Sequence, residues 1–319
     1  MVKSAILITG SSGFIGSSLI RHLLAEKQYT LRALVSNQSP TYNGQLEIFR
    51  YEDLESDALR SAIFLGVDTV IHLAGKVHVP ERSLPSAFDE YRKINVLLSI
   101  RLAKLSAKYG VRRFIYLSSI KVHGNHSAVD GTPFQFDDVP NPVGPYATSK
   151  HEAEVLLKNF CHQANMELAI IRPPLVYGPG VKANFNSMIT VVKLRIPLPF
   201  REIQVKRSMI YVENLVSLIM LCITHPNACK APLLVSDEND FQLNGLLKNI
   251  AGILGVPSRL FYIPTILLRW ILFSMGKGKL SERLLLPLQV DVQHTKQLLG
   301  WSPPHSAEDA LSKTVLSNK

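Results

Sequence analysis

Short apolar runs recur at intervals through the first half of the chain: Ala5 to Thr9, Leu31 to Val35, Leu46 to Phe49, Thr69 to Leu73, Phe114 to Ser118 and Leu168 to Arg172. Several are nearly continuous instead of alternating, the pattern of strands covered on both faces. Between them, Ser17 to Glu26, Asn95 to Tyr109 and Ser149 to Gln163 read as helices. A β-α-β-α rhythm with right-handed crossovers predicts an α/β fold built on a doubly wound parallel sheet.

After Arg172 the texture changes. Residues 173–180 bring three prolines and two glycines into eight positions, and the segments beyond alternate less regularly. This predicts two domains, residues 1–172 and a smaller α/β substrate-covering domain over 173–319, partly interleaved with the first. One apolar stretch, Ile263 to Met275, is interrupted by Pro264 and Arg269 and followed by Gly-Lys-Gly-Lys. It falls short of the roughly 18 uninterrupted apolar residues of a membrane span. A buried or subunit-facing helix is the expectation, with a membrane-surface anchor as the alternative. The opening Met1-Val2-Lys3 leads into too short an apolar run for a signal peptide, so Met1 is expected to begin the mature chain.

Composition narrows the classes further. At 319 residues with 46% hydrophobic and 19% charged positions, the chain has material for a sizeable core, and its 18 glycines and 19 prolines lack the period of a fibrous protein. The 35 Lys and Arg against 25 Asp and Glu give a net charge of +10. No run of five basic residues occurs, so an anionic small substrate is expected and nucleic acid is not. Cys161, Cys222 and Cys229 have no CxxC spacing and cannot all pair, which argues against a disulfide scaffold or a zinc site and for a reducing, cytoplasmic setting.

The first strand runs into Thr9-Gly10-Ser11-Ser12-Gly13-Phe14-Ile15-Gly16, followed by a helical pattern. Glycines at such a turn let backbone N–H groups approach a pyrophosphate at the positive end of a helix, so the strand, turn and helix together predict a Rossmann-type dinucleotide site. Val35, Ser36 and Asn37 occupy the end of the second strand, where a carboxylate selects NAD and an arginine NADP; Arg32 lies within the strand. The phosphate status of the cofactor therefore stays open. Asp53-Leu54, after the third strand, is placed to bond an adenine or is an ordinary loop pair.

Tyr146 and Lys150 stand at i and i+4, so on a helix they share one face. An ammonium there stabilises a phenolate that otherwise forms only near about pH 10, giving a group that removes a hydroxyl proton or returns one to a ketone.

The glycine turn, His72-Leu73-Ala74-Gly75, Asn95, Ser118-Ser119 and Tyr146-Ala147-Thr148-Ser149-Lys150 together resemble the extended short-chain dehydrogenase/reductases acting on nucleotide-linked sugars. The resemblance runs on through Arg172 to Pro179, Arg207 to Val212 and Leu299 to Pro303, and is strongest toward sugar 4-epimerases and 4-keto-sugar reductases. It implies that Ser119 and Tyr146 bond the sugar's 4-oxygen and that Lys150 holds the nicotinamide ribose. It further implies a cofactor cradle of Gly10, Gly13, Phe14, Ile15, Gly16, Asp53, Leu54, Leu73, Ala74, Gly75, Asn95, Tyr146, Lys150 and Pro173, with NAD the expected cofactor and NADP open. Asn184, Arg207 and Arg283 fall where relatives hold the diphosphate of a UDP-sugar, and Leu288 where they tune room for the 2-substituent. A homodimer is the family expectation.

Departures from the pattern also carry information. Ile120-Lys121 replaces the acidic pair that a sugar dehydratase places after its serine or threonine, which argues against dehydration. Lys121 reads as a solvated lysine at a strand end, with a substrate contact as the alternative, and His123 as packing, and Leu284-Leu285 replaces the Gly-Asp that usually follows the second arginine. Three functions remain: a UDP-hexose or UDP-N-acetylhexosamine 4-epimerase, an NADPH-dependent reductase of a 4-keto-6-deoxy sugar nucleotide, and a non-catalytic NAD(P) sensor.

Overall fold

A computed structural model describes residues 4–36, 46–77, 84–181 and 184–318. Asn37 lies outside these, and the Asn184 side chain is likewise not among those described. The strands are β1 (Ala5–Thr9), β2 (Thr30–Val35), β3 (Leu46–Arg50), β4 (Val67–His72), β5 (Arg113–Leu117), β6 (Glu167–Arg172), β7 (Leu175–Tyr177), β8 (Lys206–Arg207), β9 (Met209–Tyr211), β10 (Leu233–Leu234) and β11 (Phe241–Gln242). The helices are α1 (Phe14–Glu26), α2 (Asp57–Phe64), α3 (Leu84–Tyr91), α4 (Leu98–Lys108), α5 (Pro145–Gln163) and α6 (Asn184–Lys193). They continue with α7 (Val212–Thr224), α8 (Leu243–Leu254), α9 (Thr265–Ser274), α10 (Gly278–Leu285), α11 (Gln293–Leu299) and α12 (Ala307–Ser317).

The large sheet has seven strands in the order β10-β6-β5-β4-β1-β2-β3, every neighbouring pair parallel. Successive strand residues point to opposite faces. Ile6 and Ile8 join the cluster under α1 and α7, while Ala5 and Leu7 join the cluster under α2, α4 and α5. With apolar layers on both sides, no position in β1 can be polar except its last, Thr9, which is why the run is continuous and not alternating.

Two local features differ from the sequence pattern in ways that matter for the site. The helix expected from Asn95 begins as a π turn, Arg92–Leu97, before α4. Helix α5 starts at Pro145, four residues before the predicted Ser149. Proline suits the first helical position because its missing N–H would be unpaired there. Tyr146 and Lys150 therefore both lie on α5.

Residues beyond 172 serve two layers. β10 extends the large sheet beside β6, and α7 packs on α1. The remainder forms two small sheets, parallel β7-β9 and antiparallel β11-β8, around a core of Tyr177, Phe185, Met209, Tyr211 and Leu246. The stretch expected to be buried or subunit-facing is α9, yet within this chain only Leu268 and Leu272 of that helix are buried. Among the described residues, no helix is long and apolar enough to cross a membrane.

Candidate active site

At the C-terminal end of β1 the chain turns on Gly10, whose φ is +72°, and enters α1 with Gly13 as N-cap. The Gly13 amide donates to the Gly10 carbonyl at 3.0 Å, closing the turn. Added Cβ atoms would fill this place: one on Gly10 would lie 2.6 Å from the Ala74 nitrogen, and one on Gly16 would run into the Gly10 carbonyl oxygen. The first turn of α1 has no side-chain cap and no carboxylate. Its N–H groups and dipole thus face the turn uncompensated, an arrangement that suits an anion. The Ser11 hydroxyl is buried there without a partner. Unpaired buried polar atoms are rare and call for a ligand or water. These observations fit a dinucleotide, with Phe14 and Ile15 opening the helix behind the turn.

The loop after β4 is tied to the same turn. The Leu73 amide donates to the Thr9 carbonyl at 3.2 Å and the Ala74 amide to Thr9 Oγ1 at 3.3 Å. His72 bridges Thr9 Oγ1 at 2.6 Å and Ser99 Oγ at 2.7 Å, and complete burial pushes its pKa down to about 3, so the ring is a neutral strut. Asn95 sits in the π turn, an irregularity often found at functional sites. Its Oδ1 accepts from the Lys76 amide at 2.8 Å, and its Nδ2 donates to the Lys76 carbonyl at 3.1 Å and Ser149 Oγ at 2.9 Å. One side chain therefore joins the β4 loop to α5.

At the end of β3, Asp53 is occupied in part: its Oδ2 accepts from the Arg50 amide at 2.7 Å, capping the turn Tyr51–Glu55. Leu54 is buried, and its carbonyl accepts from Arg60 at 2.8 Å and Arg101 at 3.1 Å. Arg32 is spent elsewhere, on Glu47 at 2.8 Å and on the carbonyls of Ile63 and Leu65.

Ser119, Tyr146 and Lys150 come together where β5 ends and α5 begins. Ser119 is buried and caps a short turn, Ile120–Val122, its Oγ accepting from the Lys121 amide at 3.3 Å. Tyr146 is half-buried, with its ring edge-on to Tyr91 at 6.1 Å. Burial pushes its pKa up, while the neighbouring Ser119 hydroxyl works the other way by stabilising the phenolate. Lys150 Nζ donates to the Leu117 carbonyl at 2.8 Å and lies 4.7 Å from the centre of the Tyr116 ring. Its burial brings the ammonium pKa down to about 8, against which Glu154 acts. The ammonium thus donates to the strand end, and among the described residues no hydrogen bond joins it to the phenol.

Beneath Lys150 is a buried network that the sequence reading did not assign. Arg172 grips Glu154 through two bonds, Nε to Oε1 at 3.0 Å and Nη2 to Oε2 at 2.6 Å, and donates to His123 Nε2 at 2.8 Å. His123 stacks on Phe134 at 5.4 Å and is held neutral by burial and by Arg172, its pKa near 4. It is packing, as expected. The signal for the pair was available: Glu154 follows Lys150 by one turn on the face that buries Ala147, Ala153 and Leu157. A carboxylate on such a face needs a cation.

Arg207 and Arg283 do meet, Arg207 Nη1 donating to the carbonyls of Arg283 at 3.1 Å and Leu286 at 2.9 Å. Arg207 is half-buried, and burial together with Arg283 lowers its pKa to about 10. Lys121 belongs with them. Expected to be solvated, it is instead half-buried, donating to Asn125 Oδ1 at 2.9 Å, and its pKa is lowered by burial and by the charges of Arg283 and Arg207. Leu288 is buried beside β8, bridging to Arg207, and Pro173 is buried with its carbonyl accepting from the Ile120 amide at 3.0 Å. Asn184 opens α6.

A profile of the NAD dependent epimerase/dehydratase family matches residues 6–235, and the chain belongs to that family. It is 37% identical over 317 residues, 98% of this chain and 95% of the relative, to a UDP-glucose 4-epimerase of Vibrio cholerae. It is also 30% identical over 232 residues, 70% of this chain and 71% of the relative, to a GDP-6-deoxy-D-mannose reductase of Pseudomonas aeruginosa. Its fold matches the crystal structure of UDP-glucuronic acid 4-epimerase from Bacillus cereus in complex with NAD, with a TM-score of 0.79 at 21% identity over 99% of this chain and 96% of that one.

Proposed function

We propose that the protein is a nucleotide-sugar 4-epimerase that binds NAD and inverts C4 of a UDP-hexose or UDP-N-acetylhexosamine through a 4-keto intermediate. The observation that carries this reading is the convergence of Ser119, Tyr146 and Lys150 beside a glycine turn shaped for a dinucleotide, with Lys121, Arg207 and Arg283 clustered next to the turn that Ser119 caps. The 37% identity to a UDP-glucose 4-epimerase over nearly the whole chain supports it.

In this reading Gly10, Gly13 and Gly16 admit the pyrophosphate, Asp53 and Leu54 take the adenine, and Leu73 to Gly75 with Asn95 shape the loop beside the dinucleotide. When bound, the nicotinamide supplies a reversible hydride acceptor. Tyr146 removes the proton of the sugar 4-hydroxyl as phenolate and later returns it, with Ser119 donating to the same oxygen. Lys150, which donates to the Leu117 carbonyl, would hold the nicotinamide ribose. Arg207, Arg283 and Lys121 hold the diphosphate, with Asn184 beside them. A diphosphate held by three cations leaves the sugar ring free to present either face, which inversion requires.

A second reading, the NADPH-dependent 4-reductase of a 4-keto-6-deoxy sugar nucleotide, is favoured by one feature: β2 ends in Val35-Ser36 without a carboxylate for the adenosine ribose. The two separate on nicotinamide absorbance. During turnover of UDP-glucose or UDP-N-acetylglucosamine an epimerase leaves it unchanged, whereas stoichiometric loss of added NADPH with a 4-keto-6-deoxy substrate supports the reductase.

A further inference from the structure

Helix α9 reads Thr-Ile-Leu-Leu-Arg-Trp-Ile-Leu-Phe-Ser, apolar on nearly every side, and such a helix is ordinarily enclosed in a core or in lipid. Here one line of it, Leu268 and Leu272, packs on Ile203 and its neighbours. At 3.6 residues per turn, Ile266, Trp270 and Phe273 form a stripe on the side away from that line. They are 75%, 68% and 71% exposed. Leu267, Ile271 and Met275 widen the stripe, and Tyr262 precedes it, all exposed. Isolated apolar side chains on a surface are ordinary; a contiguous aromatic and aliphatic face is not.

Charge indicates what covers it. Residues 241–281 contain Lys248, Arg259, Arg269, Lys277 and Lys279 and not one Asp or Glu, so half of the chain's net charge of +10 falls on 41 residues. Arg269 lies on α9 itself, and Lys277 follows its last turn by three residues. Neither makes an ion pair among the described residues. A second copy of the same patch would bring these cations together with no carboxylate from this segment to offset them. An aromatic apolar face with a basic flank matches the boundary between headgroups and acyl chains of an anionic bilayer, where Trp and Phe enter and Arg and Lys meet phosphates.

We propose that α9 is a membrane-surface docking element and that its partner is an anionic phospholipid bilayer, on which the helix lies flat without crossing. The test uses the full chain with vesicles of equimolar phosphatidylglycerol and phosphatidylcholine, compared with phosphatidylcholine alone. The protein is expected to co-sediment with the anionic vesicles at low salt and to be released as salt rises. Trp301 is buried and Trp270 exposed, so binding should shift tryptophan emission to shorter wavelength, and Trp270→Phe should abolish that shift while binding persists. Phe273→Glu should abolish co-sedimentation, and Arg269→Glu should weaken it by about fivefold or more. Both variants change exposed side chains and should keep the wild-type circular dichroism. Failure of wild-type protein to bind anionic vesicles, or equal binding to neutral ones, would overturn the proposal. So would a wild-type oligomer that dissociates in Phe273→Glu without any vesicle binding, because the face would then belong to a second copy.

Discussion

The Lys150 ammonium donates to the carbonyl oxygen of Leu117 at 2.8 Å, fastening the second turn of α5 to the last residue of β5. Gly75 lies against the same ammonium. A Cβ there would come 3.2 Å from Lys150 Nζ and 3.3 Å from Asn95 Oδ1, tighter than ordinary contact but at a backbone conformation open to alanine. Gly75→Ala should therefore leave circular dichroism unchanged and lower kcat/KM by about tenfold, since a small misplacement of a positioned group is enough to slow a reaction. Steady-state kinetics on the variant checks this.

Burial of Lys150 also makes a prediction about stability and pH. Its pKa falls from 10.5 to about 8 because the charged form loses water. The unfolded chain therefore binds this proton more tightly, and the cost of burying the ammonium, about 3 kcal/mol, is present in full below pH 8. It is lost as pH rises from 8 to 10.5. Lys150→Met removes the titration, so wild type should gain stability relative to the variant across that interval. Urea denaturation of the ligand-free proteins at pH 7.5 and 10.5 measures the difference; a gap independent of pH would contradict the assignment.

Lys121 should act on substrate affinity more than on chemistry. It lies near Arg283 and Arg207, and burial together with both lowers its pKa. Lys121→Met and Arg207→Met should each raise KM by about tenfold or more, the loss of a charge-assisted bond, with a smaller change in kcat. Competitive inhibition by UDP should weaken in parallel.

Glu154 is the only carboxylate that the Arg172 guanidinium reaches among the described residues, and both are almost fully buried. Glu154→Gln leaves the cation without its counter-charge. A loss of about 3 to 5 kcal/mol of folding stability is expected. Double substitution of Glu154→Gln and Arg172→Met should recover part of it, and thermal denaturation of wild type and the two variants decides the point.

The fold was legible because the apolar runs are long and regular, and the strands from β1 to β6 lie within two residues of the sequence pattern at every end. Their burial on both faces leaves few residue types possible, so periodicity there reads the tertiary structure directly. The glycine turn was legible for a similar reason, since backbone contacts fix Gly10 and Gly16. Lys121 was misplaced because a lysine after a strand normally reaches water. It is held inward by a short turn capped by Ser119 and by its bond to Asn125, and its neighbours Arg207 and Arg283 come from far along the chain, which local sequence does not report. The exposure of α9 was hidden for the opposite reason: its composition is that of a buried helix, and only the packing shows one line covered.

The proposed inversion depends on Tyr146 moving a proton at C4 beside a bound dinucleotide. The most direct test incubates wild type and Tyr146→Phe with UDP-glucose and with UDP-N-acetylglucosamine, follows the C4 epimers by NMR, and measures dinucleotide bound to each protein. Wild type should bring one of these sugars to an equilibrium of both epimers, and the variant should bind dinucleotide as well but turn over about a hundredfold to ten-thousandfold more slowly. A variant as fast as wild type, or a wild type that binds dinucleotide and inverts neither sugar, would contradict it.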